Sequence, residues 1–370
     1  MICYTESALS LTNYILTNIL MSRGFMTISE IAKLANVSIG TVDRVLHKRG
    51  RVAPKTVEKV MSIIDEHGYQ PNTYARNLKL SKQFTIGVLL PLLHSEYGYW
   101  NLMYEGILKA AKELSPLAVT IDMLEFDRTK EGSLLAQGRR IMEKPIDALL
   151  LAPVVPAEAE ALLADYPTLD YAFIDSPLPN SAPVCSVIQN PYQGGYVAGR
   201  MMHLLQPNGG TLLAIQTHRA AYNSAERVRG FLSYFADKPG YTTFDMEIHF
   251  GGEDPLGELD TFYRNHPDMS GIFVVNDAIH RVAELVVQLG RKSQTIMVGY
   301  DAIAQNCKAM NNKHVDCLLS QRPEYQGYTA IYQLYRKGLL NQLPETTICV
   351  PIDIILPENV MTEQEISFKP

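Results

Sequence analysis

"ISEIAKLANVSIGTVDRVLH", Ile28 to His47, decides how the N-terminal part of this 370-residue chain folds. Ile28, Ile31, Leu34 and Ala35 recur at helical spacing, so 28–35 reads as a short helix with one apolar face. Asn36 tolerates left-handed backbone and can stop that helix. Ser38 can cap a second helix whose buried face is Val42, Val45 and Leu46. Ala32 supplies the small residue that two crossing helices need, and Val37 can fill the corner beneath the turn. Ile39, Gly40, Asp43 and Arg44 are then the outward positions of the second helix. A helix of this size fits the major groove of duplex DNA with its first turn at the base edges. A third helix is predicted from Pro54 to His67, with Val57, Val60, Ile63 and Ile64 inward and Pro54 suited to the first turn. Lys48, Arg49, Arg51 and Lys55 sit where they can hold phosphates. The plainer alternative is a three-helix bundle with a solvated basic rim.

Net charge is −6, which taken as an average argues against nucleic acid. The average misleads. Residues 1–82 hold 11 Lys+Arg against 6 Asp+Glu, or +5, and residues 83–370 hold 22 against 33, or −11. A basic head on an acidic body suggests that one end meets phosphate and the other does something else. The apolar fraction of 46% can fill two or three cores. Five scattered cysteines, with no CxxC, read as free thiols in a reducing compartment rather than a metal site or disulfide frame. No run reaches the length of a membrane span. Residues 1–25 lack a basic start and a small-x-small cleavage pattern, so they read not as a signal peptide but as a disordered extension or a misassigned start ahead of a functional start near Met26, with a short accessory helix as the rival.

Residues 26–90 resemble the lactose-repressor (LacI) family. The resemblance is carried by A-x-x-A-x-V-S-x-x-T-V-x-R-V at Ala32 to Val45, K-T-x-E-K-V at Lys55 to Val60, G-Y-x-P-N at Gly68 to Asn72, and A-R-x-L at Ala75 to Leu78. It implies a helix-turn-helix domain over 26–72 and a linker over 73–83, in which the segment like Tyr74–Leu80 becomes a helix only on DNA. Leu78 would then wedge into a central base step from the minor groove. Leu78 packing on the body is the alternative. The DNA contacts it implies are Thr27, Ser38, Ile39, Gly40, Thr41, Arg44, His47, Arg51, Tyr69, Asn72 and Leu78. This sequence departs from the pattern at three places. Asn36 stands where Gly is frequent, Ala53 where a capping Ser or Thr is usual, and Asp43 where Ser is frequent. With Ile39 and Gly40 poor in hydrogen-bonding groups, specificity is expected to rest on Arg44, on methyl contacts by Ile39, and on DNA shape.

From residue 84 onward, short apolar runs alternate with helical patterns. The runs are 84–90, 119–126, 147–153, 171–175, 185–188, 210–216, 244–250, 271–275, 295–300 and 315–321, with helices such as 101–114 and 277–290 between them. Repeated β-α-β units mean parallel sheets with helices on both faces, and a series this long predicts two doubly wound lobes with a cleft between them. The predicted fold class is therefore a small all-α head plus an α/β body over 84–370. The body resembles the type I periplasmic sugar-binding fold that LacI-family bodies share.

Ligands in such sheets sit at the carboxyl ends of the strands, and polar residues cluster there. "FIDSP" ends in Asp175, "VVND" in Asn276 and Asp277, "VGYD" in Asp301; "LLSQ" offers Gln321, "SAERVRGF" Arg227, and "YGYWN" Tyr97, Tyr99 and Trp100. Carboxylates, amides and an arginine beside aromatic faces are the chemistry that binds sugar hydroxyls. The resemblance implies that Asp175, Arg227, Asn276, Asp301 and Gln321 touch an effector, with Tyr97, Tyr99 and Trp100 nearby. Helix capping is the alternative for Asp175, Asn276, Asp277 and Asp301, a surface ion pair for Arg227, and a covered cleft rim for the tyrosines. Asp175 is followed by Ser176-Pro177, with no adjacent arginine.

No GxSxG, Walker loop, HExxH or complete GxGxxG is present. The expectation is a non-enzyme without cofactor or metal: a cytoplasmic transcription regulator binding a near-palindromic double-stranded operator as a homodimer, controlled by a small sugar-like effector. The alternatives are an exported sugar receptor and a sugar-acting hydrolase.

Overall fold

The computed structural model describes residues 28–46, 50, 52–66, 83–93, 98–217, 221–252 and 254–360. These fall into two compact units divided after Lys79. The expected extension over 1–25 and all of the expected linker except residue 83 lie outside the described residues.

The first unit is three helices: α1 (Ile28–Ala35), α2 (Ile39–Leu46) and α3 (Pro54–Glu66). Its core is Ile31, Ala32, Ala35, Val42, Val45, Val60 and Ile64, with Val37, Val57 and Ile63 packed against it. Leu34 departs from expectation. It is 52% exposed, because the inward face of α1 is set by Ile31, Ala32 and Ala35 and leaves position 34 on the outer edge.

The second unit holds two six-stranded sheets. One has the order β11-β5-β4-β3-β1-β2 and the other β12-β10-β9-β8-β6-β7. In the first lobe, β1 (Phe84–Pro91), β2 (Val119–Phe126), β3 (Ala148–Leu151), β4 (Asp170–Asp175) and β5 (Cys185–Ile188) run parallel and alternate with α4 (Tyr99–Leu114), α5 (Ser133–Met142) and α6 (Pro156–Asp165). The second lobe repeats the plan. It contains α7 (Pro191–Leu205), β6 (Gly210–Gln216), α8 (Tyr222–Phe235), β7 (Tyr241–Glu247), α9 (Pro255–Asn265), β8 (Met269–Val274), α10 (Ile279–Gln288), β9 (Ile296–Tyr300), α11 (Ala304–Asn311) and β10 (Cys317–Ser320). The chain then returns as α12 (Pro323–Gly338). It adds β11 (Thr347–Cys349) parallel to β5, and ends its pairing with β12 (Asp353–Ile355) antiparallel to β10.

Alternation along each strand explains why both faces are covered. Ile86, Val88 and Leu90 enter one core, shared with α4 and α12, while Leu89 joins Leu149, Leu151 and Phe173 in the core on the opposite face. In the second lobe Leu213, Ile215, Ile272 and Val274 face one way, and Leu212, Ala214 and Phe273 the other. Each fully buried side chain of this size contributes roughly 1.5–3 kcal/mol.

The chain passes between the lobes three times, at 189–190, 321–322 and 350–352. β7 lies at 241–247 rather than the expected 244–250. Parallel register pairs Tyr241 with Gly210 and Glu247 with Gln216, so the strand begins in a polar stretch. No helix among the described residues is long and apolar enough to cross a membrane.

Candidate functional site

In the head, the turn between α1 and α2 is built as the residue types dictate. Asn36 takes φ of 56°, and the Val37 N–H donates to the Ala32 carbonyl at 2.9 Å, closing α1. Ser38 then opens α2: its Oγ accepts from the Thr41 N–H at 3.1 Å and pairs with the Thr41 hydroxyl at 2.9 Å. Ala53 before α3 offers only its carbonyl, which accepts from the Thr56 and Val57 amides. Ile39, Gly40, Asp43 and Arg44 are exposed along α2, and Thr41 is half-buried. The proposed DNA contacts Ser38, Ile39, Gly40, Thr41 and Arg44 thus occupy the first two turns of one helix and its cap. Thr27, His47, Arg51, Tyr69, Asn72 and Leu78 lie outside the described residues.

In the body, Asp175 ends β4 and Asp301 follows β9, and these two strands hold the same place in their sheets. Both aspartates adopt left-handed backbone, φ 68° and 66°. Asp is among the few residues other than glycine that tolerate this. Neither caps a helix: α11 is preceded by Ile303 and has no side-chain cap. The turn at Asp301 is held from beneath by Asn306, whose amide donates to the Tyr300 and Asp301 carbonyls at 3.0 and 2.8 Å. The Asp175 N–H donates to Gln326 Oε1 at 3.0 Å, and the Asp175 carbonyl accepts from Asn223 at 3.1 Å.

Arg227 is 4% exposed, which excludes a surface ion pair. Its guanidinium carbon sits 3.7 Å from the centre of the Tyr300 ring. It donates to the Val275 carbonyl at 2.8 Å and to Gln321 Oε1 at 2.9 Å, while Nε has no partner. Gln321 in turn donates to Asp301 Oδ1 at 3.1 Å. Burial pushes the Asp301 carboxyl up to about 7 against the pull of Arg227, with the charges of Asp277 and Asp175 adding to the rise. Burial also raises Asp175, opposed chiefly by the Ser176 hydroxyl, which donates to it at 2.6 Å. Tyr99 is buried; burial, the nearby charges of Asp175 and Asp301 and the Asp175 carboxylate facing its hydroxyl hold it well above the ordinary phenol range.

A cavity of about 790 Å³ opens between the lobes, lined by Leu92, Trp100 and Arg128 on one side and His249, Asp277 and Arg281 on the other. Asp175, Arg227, Asp301 and Gln321 are not among its lining residues. Arg128 and Asp277 join the two zones electrostatically. Burial lowers the Arg128 guanidinium, opposed by Asp277, Asp175 and Asp127. Asp277 also accepts from the Tyr99 N–H at 3.3 Å, across the cleft and at the N-terminus of α4.

The structure thus brings Tyr99, Trp100, Asp175, Arg227, Asp301 and Gln321 together. Asn276 is half-buried and engaged within its own lobe, donating to Thr217 Oγ1 at 2.5 Å and accepting from the Ala278 N–H at 3.3 Å, as a turn clamp does. Tyr97 lies outside the described residues. Sequence reasoning missed Arg128, which the strand-end rule points to just after β2. It also missed Tyr300, Asn223 and Gln326, whose roles depend on contacts between distant segments. Among the described residues no three His, Cys, Asp or Glu side chains are placed to hold a metal ion.

Comparison with known proteins agrees with both units. The family model for bacterial regulatory proteins of the lacI family matches residues 27–72, and that for a periplasmic binding protein domain matches 86–339. The HTH-type transcriptional regulator DegA of Bacillus subtilis (strain 168) is 26% identical over 263 residues, 68% of this chain and 74% of DegA. The HTH-type transcriptional repressor PurR of Pectobacterium carotovorum subsp. carotovorum (strain PC1) is 30% identical over 207 residues, 56% of this chain and 58% of that repressor. The chain therefore spans about three quarters of the first relative and less than two thirds of the second. A crystal structure described as a LacI transcriptional regulator from Bacteroides fragilis superposes with a TM-score of 0.70 at 26% identity, covering 75% of this chain and 99% of that one. With a helix-turn-helix unit ahead of a two-lobed periplasmic-binding-protein body, this chain belongs to the lacI family of DNA-binding bacterial transcriptional regulators.

Proposed function

We propose that the chain binds a near-palindromic operator as a homodimer and that a small polyhydroxylated, sugar-like effector in the cleft controls this binding. The observation that carries the effector reading is the convergence of Asp175 and Asp301, twin strand-end carboxylates from the two lobes, on Arg227, Gln321 and Tyr99 beside an inter-lobe cavity. Carboxylates accept from vicinal hydroxyls, the Arg227 guanidinium and the Tyr99 hydroxyl donate, and Trp100 offers an apolar ring. Because the site draws on both lobes, a bound ligand changes their separation. That supplies the differential contact any ligand-driven switch requires.

The head reads through α2. One eight-residue helix spans too few bases for a unique site, so two heads on a two-fold axis are needed. Arg44 is the exposed side chain there best able to read a guanine edge. The buried thiols of Cys185, Cys307 and Cys317, pushed up to about 11, 11 and 12 by burial, are unreactive and unpaired, which fits a reducing, cytoplasmic setting. The relatives are regulators rather than enzymes. The test is a thermal-shift screen of the full chain against monosaccharides, polyols and sugar phosphates, repeated with Asp301→Ala. One compound should raise the unfolding temperature of the wild type and not of the variant. If none does, or if the variant responds equally, the effector reading fails.

A further inference from the structure

Gln189 lies in the first crossover between the lobes and is 2% exposed. Its Nε2 donates to the Ser320 carbonyl at 3.1 Å, where the chain leaves β10 for the second crossover, and to the Pro351 carbonyl at 3.0 Å, within the third. Its Oε1 accepts from the Tyr300 hydroxyl at 3.2 Å. One side-chain amide therefore ties all three passages of the chain. A buried glutamine satisfied by neighbours is ordinary; one whose two donated bonds end on the other two crossovers is placed to fix the hinge.

The same amide continues into the cleft. Tyr300 supports the Arg227 guanidinium on its ring, Arg227 donates to Gln321, and Gln321 donates to Asp301. Through the Gln321 carbonyl, which accepts from Gln326 at 2.8 Å, the chain of bonds reaches the Asp175 N–H. Space for it is reserved by Gly194 on α7, where a Cβ would overlap the Tyr300 hydroxyl.

We infer that Gln189 is the pin of the inter-lobe hinge, a positioning residue that holds the three crossovers in register and is wired through Tyr300, Arg227 and Gln321 to the Asp301 carboxylate and, by way of Gln326, to the Asp175 backbone. As a mechanism of regulation this rests on the effector reading above. As a statement about the hinge it is testable without any effector, so a failed sugar screen and a failed pin are separate outcomes.

The experiment is hydrogen–deuterium exchange on the effector-free full chain, comparing wild type, Gln189→Met and Tyr300→Phe. Methionine keeps the length and burial of the side chain and removes both donors and the acceptor. Peptides covering 186–192, 318–324 and 349–354 should exchange about tenfold faster in Gln189→Met, the change expected for losing the two bonds that Gln189 donates to Ser320 and Pro351, while peptides from β1 and β8 stay within about twofold. Tyr300→Phe removes one hydroxyl, and should accelerate the crossovers and the peptide around Asp301 by about threefold. Unchanged crossovers in Gln189→Met overturn the pin. So does equal acceleration throughout both lobes, because that marks a general loss of packing. Should Gln189→Met not fold, Tyr300→Phe decides alone: an unchanged Asp301 peptide refutes the wiring.

Discussion

Asp301→Asn should make the effector-free protein more stable at alkaline pH. The carboxyl is buried and raised from 3.8 to about 7, with burial as the largest cause. Below pH 3.8 both folded and unfolded chains hold the proton. Between 3.8 and about 7 the unfolded chain releases it and the folded chain keeps it, so stability falls as pH rises through that window. Above it the folded protein carries the full cost of an ionised buried carboxylate, on the order of 4 kcal/mol at 1.36 kcal/mol per tenfold in proton affinity. Asparagine removes that cost, retains an acceptor for the Gln321 amide, and tolerates the left-handed backbone at this position. It forfeits part of the hydrogen bond with Gln321, about 1 kcal/mol. The net expectation is a gain of about 3 kcal/mol at pH 8 that is lost by pH 4. Urea denaturation of both proteins from pH 4 to 8 measures it. A variant that is less stable at pH 8, or whose difference from wild type does not change with pH, would refute the assignment of Asp301 as a carboxylate held against its solvation preference.

Arg44→Ala should abolish discrimination between a selected operator and random duplex while leaving the body's thermal response to its ligand intact; anisotropy titrations on both duplexes check this, and undiminished selectivity removes Arg44 from the reading surface. Asn36→Val should destabilise the head by about 1–2 kcal/mol, because a β-branched residue resists the φ of 56° seen there, whereas Asn36→Gly should be tolerated; circular dichroism melts of the two variants compare them. Operator affinity should fall steeply with salt, as for any reader that grips phosphates, and a flat salt dependence would contradict that mode.

The head was legible almost residue by residue, because short-range rules govern it. Asn36 stops a helix, Ser38 starts one, and the 3.6-residue spacing places Val42 and Val45 inside. Leu34 was misplaced because the inward stripe of an eight-residue helix is too narrow for every apolar residue on it. In the body, two lobes of parallel strands followed from repeated β-α-β units, but β11 and β12 are three residues each and carry no periodic signal. The polar start of β7 is imposed by register with β6 rather than by its own pattern. At the candidate site, Asp175, Arg227, Asp301 and Gln321 were visible as polar residues at strand ends and on one helix. The contacts that give them meaning were not. Gln326 reaches Asp175 across 151 positions and Gln189 reaches Ser320 across 131, and no local rule spans such distances. Asn276 fits the same strand-end pattern, yet its amide is spent on Thr217.

The most direct check on the whole account is a titration of the full chain onto a duplex selected from random sequence, with and without the compound that stabilises the body, in wild type and Asp301→Ala. A shift in operator affinity of about 5- to 150-fold with the compound is expected for the wild type and none for the variant, since coupling of 1–3 kcal/mol is the usual range. Operator binding that ignores every stabilising compound, or that responds equally with Asp301 truncated, would contradict the claim that the cleft governs the head.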